Sequence, residues 1–145
     1  MSSAPPAGTV LAFDFGTQRI GVAVGESRLG LAHPLTTIAN AATGQRLGAI
    51  EALIAEWKPA LLVVGLPTHA DGAPHAMTAR ARRFAHELED RFALPVKLCD
   101  ERFTTRSAAG ALREAGARGA ARKSARDRVA AQLILQAYFD QRQSA

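Results

Sequence analysis

"LAFDFGTQRIGVAVGE", residues 11–26, reads as a hydrophobic strand, a short turn and a second strand. Alternation along the first strand puts Leu11, Phe13 and Phe15 on one face and Val10, Ala12 and Asp14 on the other. Asp14 therefore shares a face with apolar neighbours, where a carboxylate is costly unless something satisfies it. One reading makes it a strand-end residue that accepts turn amides near Gly16 and Thr17. The other makes it a ligand or catalytic group, and the rest of the chain decides between them.

Outward from this hairpin, residues 9–15, 19–25 and about 31–38 form three strand-like segments joined by turns at Gly16 and Gly30. Links this short favour antiparallel neighbours. The period then changes, because Leu47, Ile50, Leu53, Ile54 and Trp57 follow helical spacing up to Pro59. "ALLVVG", 60–65, is a continuous apolar run of the kind a buried parallel strand shows. Beyond the loop "LPTHADGAPH", Met77, Ala81, Phe84 and Leu88 mark a second helix, and "LPVKLCDE" a fifth strand. A helix from near Thr104 and a last one over about Ser124–Gln141 complete the order βββαβαβαα. The expected fold is α/β: a mixed five-stranded sheet, with a three-stranded antiparallel meander and two parallel strands, flanked by helices.

The chain has 145 residues, 48% of them hydrophobic, which suits one globular domain over 9–141 behind a flexible arm at 1–8. There is no apolar run of membrane-spanning length and no signal-like start. With a single Cys99, read as a small core residue, this points to a cytoplasmic location. Net charge is +5 and the pI near 10.3, which suits a polyanionic partner. Basic residues cluster in "RARRF", 80–84, and in "REAGARGAARKSARDR", 113–128, the latter expected to be a basic loop running into a helix.

Two further places hold acids beside apolar sequence. "LCDERFTT" ends a strand in Asp100 and Glu101 before Thr104 can cap a helix; successive strand residues face opposite ways, so only one of these acids can share a site with Asp14. In the last helix, Asp127, Ala130, Ala131, Ile134 and Tyr138 fall on one stripe, so Asp127 lies on the face that packs against the sheet. A capping-box start at Ser124 would also account for Asp127. Three acids gathered at one end of a sheet repel one another unless a cation joins them. Mg²⁺ and Mn²⁺ prefer such oxygen donors and support phosphodiester hydrolysis.

Together, "DFGTQRIGVAVG", "VVGLPTHADG", "DERFTT" and "KSARDRVAAQLILQAYFD" resemble the YqgF/RuvX family, described as Holliday junction resolvases and as pre-16S rRNA processing nucleases. The resemblance runs from Val10 to Asp140 and implies a ribonuclease H-like fold. It implies that Asp14, Glu101 and Asp127 are catalytic and hold Mg²⁺ or Mn²⁺, with Asp100 as a further candidate ligand. It also implies that Arg19, Arg102, Thr104, Thr105, Arg122 and Lys123 contact nucleic acid, either precursor rRNA or branched DNA. Gln18 departs from the basic residue often found there. His69 and His75 read as ordinary loop residues.

Two other functions compete. "DFGT" also resembles the first phosphate-binding turn of actin-like and sugar-kinase ATPases, but those need two such domains to enclose ATP, and the Walker A ending is absent. A non-catalytic nucleic-acid-binding module would explain the basic charge but not the three acids, which repel phosphate unless a metal is bound. The expected activity is thus a metal-dependent endonuclease. A monomer and a homodimer both fit, the latter suiting the symmetric cuts of a junction resolvase.

Overall fold

The computed structural model describes residues 8–67, 77–100 and 119–144, with side chains in the last segment described over 125–142. Five strands, β1 (Thr9–Phe15), β2 (Arg19–Glu26), β3 (Leu31–Ala39), β4 (Leu61–Leu66) and β5 (Val96–Asp100), form one sheet in the order β3-β2-β1-β4-β5. The helices are α1 (Thr43–Trp57), α2 (Thr78–Phe92) and α3 (Gly119–Ser144). The pairs β1–β2 and β2–β3 are antiparallel, whereas β1–β4 and β4–β5 are parallel. This is the mixed sheet that the sequence predicts. The helix expected from Thr104 lies outside the described residues.

Each element follows from local chemistry. Turns too short for a crossover fold β1–β3 back on themselves, and Pro34, which cannot donate to a ladder, sits in β3 at the sheet edge. Helices α1 and α2 both end at residues in the left-handed region, Lys58 and Ala93, whose amides bond back to the carbonyls of Ile54 and Glu89. Pro59 and Pro95 follow closely and prevent continuation.

The two faces of β1 bury different cores. Val10 and Ala12 pack with Ala23, Leu61, Val63 and Cys99 beneath Ala131, Ile134, Leu135, Tyr138 and Phe139 of α3. Leu11 and Phe13 pack with Ile20, Val22, Leu62 and Val64 against α1 and α2 through Ile50, Phe84 and Leu88. Cys99 is the buried core residue expected of it. At about 1.5–3 kcal/mol for each large side chain fully buried, these layers fix which strand face meets which helix.

The last helix corrects two expectations. It begins at Gly119, so Ser124 lies within it and cannot be its N-cap, which removes the capping-box account of Asp127. Residues 119–128, expected partly as loop, are helical. Ala120, Ala121, Arg122 and Lys123 are strong helix formers, and Gly119 stands at the first helical position, where it escapes the penalty of roughly 1 kcal/mol that a glycine carries in a helix interior.

Candidate active site

Asp14 stands one residue before the end of β1, on the face of Val10 and Ala12 that α3 covers, and it is half-buried. Across the antiparallel ladder its partner is Gly21 of β2. A Cβ built on Gly21 would come 2.0 Å from the Asp127 carbonyl oxygen and 3.1 Å from the Asp127 Cα. The backbone of α3 thus rests directly on the strand beside Asp14, and only glycine allows that approach. Strands pair less than about 5 Å apart, so the Asp14 side chain rises next to the turn of α3 that carries Asp127.

Asp127 is oriented by Arg19, the first residue of β2, whose Nε donates to Asp127 Oδ2 at 2.7 Å. The Asp127 side chain is 20% exposed and that of Arg19 33%, so the pair is partly shielded from water while open on one side. The turn between β1 and β2 is closed by the Gly16 amide, which donates to the Arg19 carbonyl at 2.9 Å. Arg19 is therefore fixed at its backbone by the turn that follows Asp14 and at its side chain by Asp127.

Among the other expected site residues, Asp100 ends β5 opposite Leu66 of β4. Cys99 belongs to the core under α3 and Val96 to the core under α1 and α2. By alternation Asp100 lies with Val96, on the sheet face away from Asp14. Glu101, Arg102, Thr104 and Thr105 lie outside the described residues. Arg122 and Lys123 belong to the first turns of α3, a little over one turn before Asp127. Of the expected acids, then, the structure brings Asp14 and Asp127 together. Among the described residues no three His, Cys, Asp or Glu side chains form a metal-binding group.

Several supporting residues were not anticipated. Asn40, just past β3, donates through Nδ2 to the Gly16 carbonyl at 2.6 Å and accepts at Oδ1 from Arg46 Nη1 at 3.2 Å. Arg46 Nη2 in turn lies 2.6 Å from both carboxylate oxygens of Glu87 on α2. Gln132 and Gln136 tie α3 to the edge strand: Gln136 accepts from the Ala32 amide and donates to the Gly30 carbonyl, and Gln132 donates to the Ala32 carbonyl. Their i, i+4 spacing beside the apolar stripe was a usable signal for docking. Gly21, the one residue of "RIGVAV" without a side chain, was a usable signal for a close backbone approach.

Comparisons with known proteins agree with this architecture. A family model described as RuvX: Holliday junction resolvase matches residues 8–141. A protein of Nitrosospira multiformis named "Putative pre-16S rRNA nuclease" is 58% identical over 141 residues, spanning 97% of this chain and 93% of that one. A protein of the same name from Thiobacillus denitrificans is 54% identical over 145 residues and the full length of both. Among solved structures, Thermus thermophilus RuvC in complex with a Holliday junction substrate superposes with a TM-score of 0.52 at 17% identity, over 94% of this chain and 96% of that one. This last likeness speaks to the ribonuclease H-like fold.

Proposed function

The chain belongs to the RuvX family, and from that premise we propose that it is a metal-dependent endonuclease acting in 5′-end maturation of precursor 16S rRNA. The observation that carries the site assignment is the contact of α3 with Gly21, which sets Asp127 beside Asp14 on one face of the sheet. Two carboxylates on one face form the oxygen-only donor set suited to Mg²⁺ or Mn²⁺. Glu101 is the third donor in this reading, as the resemblance of "DERFTT" to the family implies. Asp100, on the other face, is left out of the donor set.

When bound, the metal supplies an activated water and charge stabilisation at the scissile phosphodiester. The chain's own residues do the rest. Asp14 and Asp127 supply donor oxygens from a strand and a helix that cannot shift independently. Arg19 holds the Asp127 carboxylate in one rotamer, through an oriented charge-assisted hydrogen bond. Arg102, Thr104, Thr105, Arg122 and Lys123 hold the substrate backbone in this reading, and Arg19 adds a further cation. Among the described residues no helix is long and apolar enough to cross a membrane.

The test is cleavage of labelled precursor-rRNA leader and of a four-way DNA junction, side by side, in Mn²⁺, Mg²⁺ or EDTA. Asp14→Asn should slow cleavage about a thousandfold, the loss of some 4 kcal/mol of transition-state stabilisation, while leaving binding intact or tighter. Cutting of the leader alone supports rRNA maturation. Cutting of the junction alone assigns the activity to recombination, and cleavage unaffected by Asp14→Asn refutes the mechanism.

A further inference from the structure

The basic cluster "RARRF" has no part in the site described above, yet two of its arginines line a cavity. Phe15, Arg46, Arg80, Arg83, Phe84 and Glu87 enclose about 250 Å³ on the α1/α2 side of the sheet. Three guanidiniums face one carboxylate there, so the cavity carries net positive charge. The acid is already engaged, since both Glu87 oxygens are held by Arg46. Arg80 and Arg83 are exposed, lie one turn apart on α2, and form no ion pair with any described residue. Phe15 and Phe84, with ring centroids 4.8 Å apart, give the cavity an apolar wall that weakens solvent screening of the cations.

The cavity is also tied to the candidate centre. Phe15 follows Asp14 in β1 and points to the opposite face, while Arg46 reaches Asn40, and Asn40 the Gly16 turn. Both places therefore sit at the carboxyl end of β1, one on each side of the sheet. A polyanion lying across that strand end meets the acids on one face and the arginines on the other.

We propose that the Arg46–Arg80–Arg83 cavity is a phosphate subsite that takes a backbone phosphodiester of the nucleic-acid strand, away from the bond that is cut. The assignment rests on the nuclease reading for its ligand. Arg80 and Arg83 supply forked donors matched to phosphate oxygens. Arg46, fixed by Glu87 and Asn40, supplies a cation that does not have to be ordered on binding. The subsite contributes affinity and register, not sequence preference.

The test compares Arg80→Gln/Arg83→Gln with Arg82→Gln/Arg91→Gln, which removes the same charge from α2 outside the cavity. Binding to labelled single-stranded RNA and to a four-way DNA junction is measured by fluorescence anisotropy across a salt series in EDTA. The cavity variant should bind about tenfold more weakly at low salt, with the log–log salt slope shallower by roughly 0.7–0.9, the loss of about one phosphate contact. The control should stay within about threefold of wild type. Equal behaviour of the two variants overturns the proposal. So does calorimetry in which inorganic phosphate or AMP binds through Arg80 and Arg83 while nucleic-acid affinity is unchanged, because the cavity then serves a free ligand. The exposed positions leave folding intact, which circular dichroism checks; if the pair fails to fold, the single variants carry the same comparison. Because EDTA removes the cleavage metal, failure of the nuclease reading appears separately, as wild-type protein that binds but does not cut in Mn²⁺.

Discussion

At the scale of single residues, Gly21 decides whether the two acids meet. Its missing side chain is replaced by the Asp127 peptide, and any Cβ there collides with backbone, which cannot swing aside as a side-chain tip can. Gly21→Ala should therefore lift α3 off β2 at its Asp127 turn. The stability cost, read from denaturant midpoints, is expected at about 1–3 kcal/mol, as for other overpacked contacts. Cleavage should fall by far more than the unfolded fraction explains, since Asp127 leaves its place beside Asp14. A variant destabilised by that amount with undiminished cleavage at low temperature would show that the two acids do not act together. Asp14 itself was legible from the sequence because strand alternation is a local rule. The contact that explains it was not, because it joins the second strand to the last helix, and no periodic pattern encodes where two distant backbones touch.

At the scale of elements, two charged pairs join α1 and α2: the exposed Arg91–Glu51 pair, and the more buried Arg46–Glu87 pair, which is set on an aromatic floor. The side chains of Arg46 and Glu87 are 17% and 22% exposed, and the Arg46 guanidinium carbon lies 5.9 Å from the Phe15 ring centroid. Removing one partner strands the other in a partly dry site, so Arg46→Gln is expected to cost about 1–3 kcal/mol, discounted from the fully buried case for residual solvent. In a double-mutant cycle with Glu87→Gln, the combined loss should be smaller than the sum by roughly 0.5–2 kcal/mol. Additivity would mean that the pair contributes nothing to joining the helices. In sequence both residues look like the solvated side of an amphipathic helix, which is why the apolar stripes of α1 and α2 were readable and their bridge was not. The start of α3 was hidden for a related reason. Gly116 and Gly119 suggest a loop, whereas the alanines and long basic residues after Gly119 carry the helix back to that glycine.

At the scale of the whole molecule, the sheet separates two jobs. One face, under α3, collects acids; the other, under α1 and α2, collects arginines around Phe15, and the meander turn at Gly16 links them through Asn40 and Arg46. In the proposed reading the second face supplies cations to a polyanionic substrate, and on the first a bound metal joins Arg19 in offsetting the acids. Metal binding should then register as stability, because ions that bind the folded acids and not the unfolded chain stabilise by mass action. At a concentration of Mn²⁺ about a hundred times its Kd, the gain is roughly 2.7 kcal/mol. For a chain of this size that raises the Tm by about 5–10 °C. Differential scanning calorimetry without nucleic acid should show this rise in the wild type and its reversal by EDTA. Asp14→Asn should melt at the same temperature with and without Mn²⁺. An equal rise in that variant would place the ion elsewhere on the surface, and the acids facing α3 would then need an explanation other than metal binding.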